Sequence, residues 1–339
     1  MDILGLSILG FTTILLTLAF EFVNGFHDSA NSVATVVATR VLSPVWAVGL
    51  AAIFNFFGIF ILGFAVAKTV GKGIIEEGLV MEYGICLIFC AVVGAIVWDL
   101  ITWWLGIPTS SSHALIGGLI GAGGAVWFTD AIVWSGTLKT VAFIVVSPVL
   151  GLAIGFLLTS LTMRAGRRTS RTVVNWWFRK LQICSMVTLS AMHGSNDAQK
   201  GMGIITSVLM LEAGIFVTGT FDPELWVILS CGGMIALGTF FGGWRIVKTM
   251  AARVTKLQPY QGFCAETGAA TMIGVATLFG IPVSTTHTVS GAIMGVGATK
   301  RLSAVRWGVG RRIVIAWILT IPASATIAGI LFLIMNSFC

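Results

Sequence analysis

The sequence predicts an all-α, polytopic membrane protein made of two inverted-topology repeats. Of its 339 residues 57% are hydrophobic and only 10% are charged, with a mean hydropathy of +0.98, whereas soluble proteins contain about 25% charged residues. Several apolar runs reach the roughly 20 residues that span a bilayer. Two short motifs also occur twice, in the same order. The expected surroundings are therefore a lipid bilayer, and basic loops explain the net charge of +7 better than nucleic-acid binding does.

The two motifs define the repeats. A shift of 174 positions places 106–123 on 280–297, and a shift of 169 places 24–31 on 193–200. Membrane transporters are often built from such internal repeats. We predict a first repeat over 1–162, a basic connector over 163–180 and a second repeat over 181–339.

Each repeat is expected to begin with a broken helix and to contain a re-entrant helical hairpin. The Asn24-Gly25 pair predicts the first break. The basic connector carries Trp176 and Trp177, which is typical of a surface helix on an anionic cytoplasmic leaflet. The predicted segments of the first repeat are 3–40, 45–67, hairpin arms 84–106 and 113–128 with a tip at 107–113, and 139–162. Those of the second are 181–211, 225–247, arms 262–280 and 287–299 with a tip at 281–287, and 313–335.

The loop charges predict the orientation. A re-entrant hairpin starts and ends on one side, so the second repeat begins on the side opposite the N-terminus. Most of the 20 lysines and arginines then fall on one side, at Arg40, 164–180, 248–256 and 300–312. Only Lys68, Lys72 and Lys139 fall on the other. Basic loops stay in the cytoplasm, so the N-terminus is expected outside; hairpins that cross the membrane fully are the alternative.

The hairpin tips favour anion binding. Pro108 and Pro282 end the incoming arms, because proline lacks an N–H group. The following hydroxyls begin new helices, whose N-termini offer free N–H groups and about half a positive charge. Two such tips meeting near the midplane suit a tetrahedral oxyanion; plain helix capping is the alternative. The candidate ligands are Ser110, Ser111, Ser112, Ser284, Thr285 and Thr286, with Gln199 and Lys200, although Lys200 also has the length to reach the membrane surface.

Buried carboxylates favour coupling to a cation. A carboxylate in a span costs roughly 3 kcal/mol, so it normally faces a cavity or an ion, although a structural cap is the alternative. Two carboxylates beside an anion repel it unless protons or metal ions join them, which predicts symport. The candidates for the ion or proton path are Asp28, Asn31, Asn196, Asp197, His27, Glu266 and Asp99.

With these residues in view, the chain resembles the PiT family of inorganic phosphate transporters. The resemblance rests on NGFHDSANSVATVV, GIPTSSSHALIGG, HGSNDAQKGMGI and GIPVSTTHTVSGAIMGVG. It implies inverted repeats, phosphate held between the hairpin tips, coupling ions at the Asp and Asn motifs, and a homodimer. Glu266 matches a glutamate that family members use near the second hairpin.

Two departures from the sodium-coupled pattern indicate a branch of this family. Sodium-coupled members carry Asn-Asp in both halves, followed two residues later by Ala-Asn. Here His27-Asp28 and Gln199-Lys200 stand instead, which is similar to the bacterial low-affinity branch. That branch is associated with proton coupling and with transport of neutral metal–phosphate complexes.

We therefore expect a secondary active phosphate importer of the cell inner membrane that works by alternating access and is coupled to protons. A sodium-coupled symporter and a sulfate or other oxyanion permease are the alternatives, and an anion channel is a further one. We expect no cofactor beyond the coupling cation and a divalent metal carried with phosphate. A membrane enzyme with a serine nucleophile is disfavoured, because the hydroxyls form two related triplets.

Overall fold

The computed structural model describes residues 6–247 and 256–337 and is helical almost throughout. Lys248 and Arg253, expected in a cytoplasmic loop, lie outside the described residues. The helices are α1 (Ile8–Ala38), α2 (Pro44–Gly58), α3 (Ala65–Lys72), α4 (Glu77–Leu105), α5 (Ser111–Trp127), α6 (Trp134–Ala165), α7 (Arg171–Glu212), α8 (Leu225–Phe241), α9 (Pro259–Leu278), α10 (Thr285–Ala298) and α11 (Trp307–Met335).

Most of the expected spans are present as helices, but two are shorter than predicted. In the expected span 45–67, α2 ends at Gly58 and α3 begins separately at Ala65, and in the expected span 225–247, α8 ends at Phe241. Within the described residues, five stretches are long and apolar enough to cross a membrane, namely Ile8–Ala38, Glu77–Leu105, Ser111–Ala131, Trp134–Arg168 and Gly310–Met335. α6 and α11 expose large apolar side chains, such as Val145 and Ile318, that suit contact with lipid. The protein is thus a multi-pass, all-α membrane protein.

Helix packing follows the internal repeat. α1 packs on α8, and their counterparts α7 and α2 pack together. Hairpin 1, formed by α4 and α5, lies against α11 at the end of the chain. Hairpin 2, formed by α9 and α10, lies in the same way against α6. Each hairpin is therefore supported by the last long helix of the other half.

The first helices of the two halves run antiparallel. At one end, Ser7 before α1 hydrogen bonds to Glu212 at the end of α7. At the other end, the Thr39 hydroxyl donates to the Gln182 amide oxygen at 2.9 Å, near the start of α7. This is the mutual orientation that inverted repeats require of equivalent helices.

The predicted break in the first helix of each repeat is wrong. α1 and α7 run through Asn24-Gly25 and His193-Gly194 without interruption. A Cβ on Gly25 would collide with the backbone carbonyl of Ile235 in α8, and one on Gly194 with that of Asn55 in α2. Both glycines therefore allow two helices to approach closely, which small residues do in membrane bundles.

The connector 163–180 forms no separate surface helix. α6 continues through Ala165, a short 3₁₀ turn covers Gly166–Arg168, and α7 starts at Arg171 and runs for 42 residues. The basic residues are thus the cytoplasm-directed ends of two long helices in the predicted orientation. The Arg179 guanidinium donates to the Arg40 carbonyl at 3.0 Å, so the end of α1 lies beside them.

The hairpin arms end in the same way in both halves. α4 ends at Gly106 (φ 66°) and α9 is followed by Gly280 (φ 67°), both in the left-handed region that glycine tolerates. The N–H groups of Ile107 and Ile281 donate to the carbonyls of Thr102 and Ala276, five residues back, at 3.0 and 2.9 Å. This is the Schellman arrangement. Glycine thus stops each arm, and the proline begins the extended tip.

Candidate functional site

The first hydroxyl of each triplet caps a helix. The Ser110 Oγ accepts from the His113 N–H at 3.3 Å, and the Ser284 Oγ accepts from the His287 N–H at 3.1 Å. The sequence expected N-caps here, since serine satisfies an otherwise unpaired helix N–H. The second and third hydroxyls of each triplet then lie in the first turn of α5 or α10.

The two tips meet in the interior of the protein. The Ser112 hydroxyl of hairpin 1 donates to the Val283 carbonyl of hairpin 2 at 3.0 Å. We call the buried group formed there the tip cluster. It consists of Ser111, Ser112, Thr285 and Thr286 from the tips, Asp28 and Asn31 from α1, and Asp197 and Lys200 from α7.

The carboxylates of the tip cluster accept from both hairpins. Asp28 Oδ2 accepts from Ser111 at 3.1 Å and Asp28 Oδ1 from Thr286 at 3.1 Å. The Thr285 hydroxyl lies between the two acids, 3.5 Å from Asp28 Oδ2 and 3.4 Å from Asp197 Oδ2. The acidic motifs and the hydroxyl triplets, separate in sequence, therefore form one site.

Asn31 and Lys200 occupy equivalent places in the two halves and differ in charge. The Asn31 amide donates to the Thr286 hydroxyl at 2.9 Å, reaching the tip of the other half. The Lys200 ammonium likewise donates to the Ser112 hydroxyl at 3.0 Å, and lies 3.3 Å from Asp197 Oδ2. Lys200 is only 1% exposed, so the snorkelling alternative is excluded.

A histidine accompanies each acid. His27 Nδ1 lies 2.9 Å from Asp28 Oδ1, and its Nε2 lies 3.2 Å from the Thr102 hydroxyl. His193 Nε2 lies 3.2 Å from Asp197 Oδ2, and its Nδ1 lies 3.0 Å from the Asn55 amide oxygen. The outer nitrogen of each ring is thus held by a neighbouring helix, which fixes how the imidazole faces its acid.

Two carboxylate oxygens and one imidazole nitrogen come close enough for a cation. Ligand atoms of Asp28, His193 and Asp197 all lie within 4.8 Å of one another. Carboxylate oxygens carry negative charge and a neutral imidazole nitrogen offers a lone pair, so this set suits a proton, a sodium ion or a divalent metal.

Two of the predicted residues hydrogen bond elsewhere. The Gln199 amide oxygen accepts from the Val66 and Ala67 N–H groups of α3 at 2.9 and 3.1 Å, and its nitrogen donates to backbone carbonyls. The Asn196 amide donates to the Thr277 hydroxyl at 2.8 Å. Gln199 therefore holds α3 in place, and Asn196 holds α9, beside the tip cluster.

The remaining two acids lie apart from the cluster's hydrogen bonds. Glu266 on α9 accepts from Thr35, from Gln182 at 3.0 Å, and from Ser185. Asp99 on α4 is fully buried, and in the described part of the chain neither of its oxygens has a hydrogen-bond partner. Glu266 thus links α9 to α1 and α7, whereas Asp99 is an isolated buried acid.

Two polar residues of α1 that are not among the candidate ligands also join the site. Asn24 Oδ1 accepts from the Ser111 hydroxyl at 2.6 Å. Glu21, three residues earlier, is fully buried and accepts from the Gly201 N–H at 2.7 Å. Their spacing from Asp28 on α1 was a usable signal, because residues 21, 24 and 28 share one helix face.

Comparisons with known proteins identify the family. A model of a phosphate transporter family matches residues 24–176 and again 163–328, once for each repeat. A probable low-affinity inorganic phosphate transporter of Rhizobium meliloti is 51% identical over 94% of this chain and 94% of its own. A protein of the same description from Bacillus subtilis is 42% identical over 99% of each chain.

A solved structure gives the same result in three dimensions. The sodium-dependent phosphate transporter superposes with a TM-score of 0.89, covering 98% of this chain and all of its own, at 26% identity. The described helices and their packing are therefore those of a known transporter architecture. The chain belongs to the phosphate transporter family.

Proposed function

We propose that this protein is a secondary active transporter that imports inorganic phosphate together with a cation. The observation that carries the proposal is the meeting of two serine- and threonine-tipped hairpins at a buried pair of acids beside Lys200. The names of the relatives, which are phosphate transporters, support the choice of anion.

Phosphate fits the donors and acceptors of the tip cluster. The four hydroxyls and the first turns of α5 and α10 supply donors for phosphate oxygens, and Lys200 supplies a fixed positive charge. Asp28 is placed to accept a hydrogen bond from a protonated phosphate oxygen. Sulfate has no such proton near neutral pH, so the acids disfavour it.

Coupling follows from the charge balance of the site. Lys200 offsets one of the two carboxylates, Asp197, and leaves Asp28 to be neutralised. Removing that charge lets phosphate enter without repulsion. We propose a proton as the coupling cation, with His27 or Asp28 as its acceptor. A divalent metal held by Asp28, His193 and Asp197 would enter as cargo with phosphate.

Sodium coupling is the second candidate, because the superposable solved transporter is described as sodium-dependent. The position of Lys200 disfavours a sodium site in the second repeat. Its ammonium already occupies the space between Asp197 and the hairpin 1 tip, at 3.3 and 3.0 Å. A sodium ion there would have to displace it.

Alternating access, the membrane topology and the assembly belong to the same proposal. The repeats 1–162 and 181–339 would rock about the tip cluster, which both of them build. We place the N-terminus outside the cell inner membrane and expect a homodimer.

The test is uptake of radiolabelled phosphate by the purified protein in liposomes, with proton and sodium gradients imposed separately and with or without Mg²⁺. Uptake driven by the proton gradient alone is the expected result. Uptake that needs only sodium would replace protons by sodium in the proposal. Transport of sulfate in preference to phosphate would refute the choice of substrate.

A further inference from the structure

We propose that a cavity lined by Lys68, Lys72 and Lys139 is an outer capture site for phosphate. Phosphate held in this cavity would then pass to the tip cluster. The proposal rests on the proposed function and adds a second, electrostatic anion site to it. The cavity measures about 360 Å³ and is bounded by α3, the start of α6 and the end of the α9 arm. We call it the lysine vestibule.

The lining of the vestibule is basic. Lys68 and Lys72 lie four residues apart on α3, so their side chains share one face of that helix. Lys139 approaches from α6. No carboxylate is among the residues that line the vestibule. Glu77 lies outside the lining, with its Oε1 3.8 Å from Lys72 Nζ, and screens one of the three charges in part.

Backbone contacts between α3 and the start of α6 fix the shape of the vestibule. The N–H of Val133, just before α6, donates to the Ile74 carbonyl at 3.0 Å, and that of Glu76 donates to the Ala131 carbonyl at 3.0 Å. A Cβ on Gly136 of α6 would collide with the Gly73 carbonyl. The start of α6 is therefore fixed against the end of α3, and the three lysines are held around one opening.

Two chain segments connect the vestibule to the tip cluster. Its lining includes Ile281 and Pro282, and the hydroxyl triplet of hairpin 2 begins at Ser284. The Thr69 hydroxyl of α3 donates to the Gly280 carbonyl at 2.7 Å, tying α3 to that hairpin. The first turn of α3 is bound by Gln199, whose chain neighbour Lys200 lies in the cluster.

The charge pattern of the whole chain indicates on which side of the membrane this cavity lies. Lys68, Lys72 and Lys139 are the three lysines that fall on the outer side in the predicted topology, and all three line the same cavity. A concave surface of one charge sign concentrates oppositely charged substrate and speeds its capture by roughly 10- to 1,000-fold. An importer gains from that on the side where phosphate enters.

The transport test compares the wild type with a Lys68→Gln, Lys72→Gln, Lys139→Gln triple variant. At an ionic strength of about 0.01 M the triple variant is expected to lose about ten-fold in kcat/KM with kcat unchanged. At about 1 M salt, where the screening length falls to about 3 Å, the two proteins are expected to converge. Replacement of the three lysines by arginine is expected to restore capture.

A matched control removes the same charge from the opposite end. Arg167, Arg168 and Lys180 are exposed there, so changing them to glutamine alters net charge equally. That variant is expected to keep the wild-type kcat/KM for uptake. Equal losses in both triple variants, or none in the vestibule variant at low salt, would overturn the proposal.

A second measurement tests phosphate binding in the vestibule independently of transport. Inorganic phosphate is expected to slow acetylation of Lys68 and Lys139 in the wild-type protein, measured by mass spectrometry, and to leave Lys180 unaffected. Protection without any phosphate uptake would refute the proposed function and keep the vestibule. Uptake of phosphate with no protection of these lysines would refute the vestibule and leave the proposed function intact.

Discussion

Replacing Lys200 by glutamine tests how the charge of the tip cluster is balanced. Lys200 is buried, and its ammonium lies 3.3 Å from Asp197 and 3.0 Å from the Ser112 hydroxyl. Removing one partner of a buried ion pair leaves an uncompensated charge and costs about 3–5 kcal/mol. Because His193 Nε2 also lies 3.2 Å from Asp197, we expect the lower end of that range for Lys200→Gln.

The double variant separates this charge effect from lost packing. With Asp197→Asn added, the carboxylate that Lys200 had balanced is gone as well, so the double variant is expected to be more stable than the sum of the two single changes implies. The expected coupling energy is about 1–3 kcal/mol. Phosphate uptake is expected to remain lost, because the fixed positive charge is missing in both proteins.

The assay is unfolding in mixed detergent micelles, followed by circular dichroism, with the free energy of unfolding taken from the titration with denaturing detergent. Lys139→Gln, at an exposed position, is the control and is expected to change stability by less than about 0.5 kcal/mol. Additive effects of Lys200→Gln and Asp197→Asn, or a single-variant cost below about 1 kcal/mol, would refute the charge-balance argument.

Three further variants test other parts of the structure. Asp28→Asn is expected to abolish phosphate uptake with membrane insertion and gel-filtration behaviour intact, and normal uptake would remove Asp28 from coupling. Ser111→Ala with Thr285→Ala deletes two hydroxyls worth about 0.5–1.5 kcal/mol each, so KM for phosphate is expected to rise about ten-fold; an unchanged KM would exclude the tips from binding. Gly194→Ala is expected to destabilise by about 1–3 kcal/mol through its collision with α2, whereas Gly49→Ala on α2, which has open space, is expected to be neutral or stabilising.

The sequence predicted the helices well because their signals are local. Apolar runs of membrane length fix where spans lie, and α4, α5, α9 and α10 lie close to the predicted arms. The caps at Ser110 and Ser284 followed from the same short-range chemistry. The site could be predicted because duplication marks which polar residues matter, and the tips do meet the acids.

The errors arose where packing overrides a local pattern. Gly25 and Gly194 look like helix breakers in sequence, yet each lies inside an uninterrupted helix where another backbone approaches closely. The placement of Gln199 was equally invisible, because its partners at Val66 and Ala67 lie more than a hundred residues away. The positions of Glu21 and Asn24 could be predicted from the sequence, since these residues share the Asp28 face of α1.

The symmetry of the scaffold and the asymmetry of its charge have different roles. Matching tips, matching arm ends and antiparallel α1 and α7 give two halves of similar architecture, which suits a protein whose two opposite conformations are to be close in energy. The exchange of an Asn31-type amide for the Lys200 ammonium breaks that match where phosphate would lie. The ammonium stays with the protein through the whole cycle, so it cannot carry energy from a gradient. In the transport cycle that we propose, the ammonium lowers the cost of placing an anion beside two acids, and Asp28 is the carboxylate whose charge must be cancelled anew each time phosphate enters.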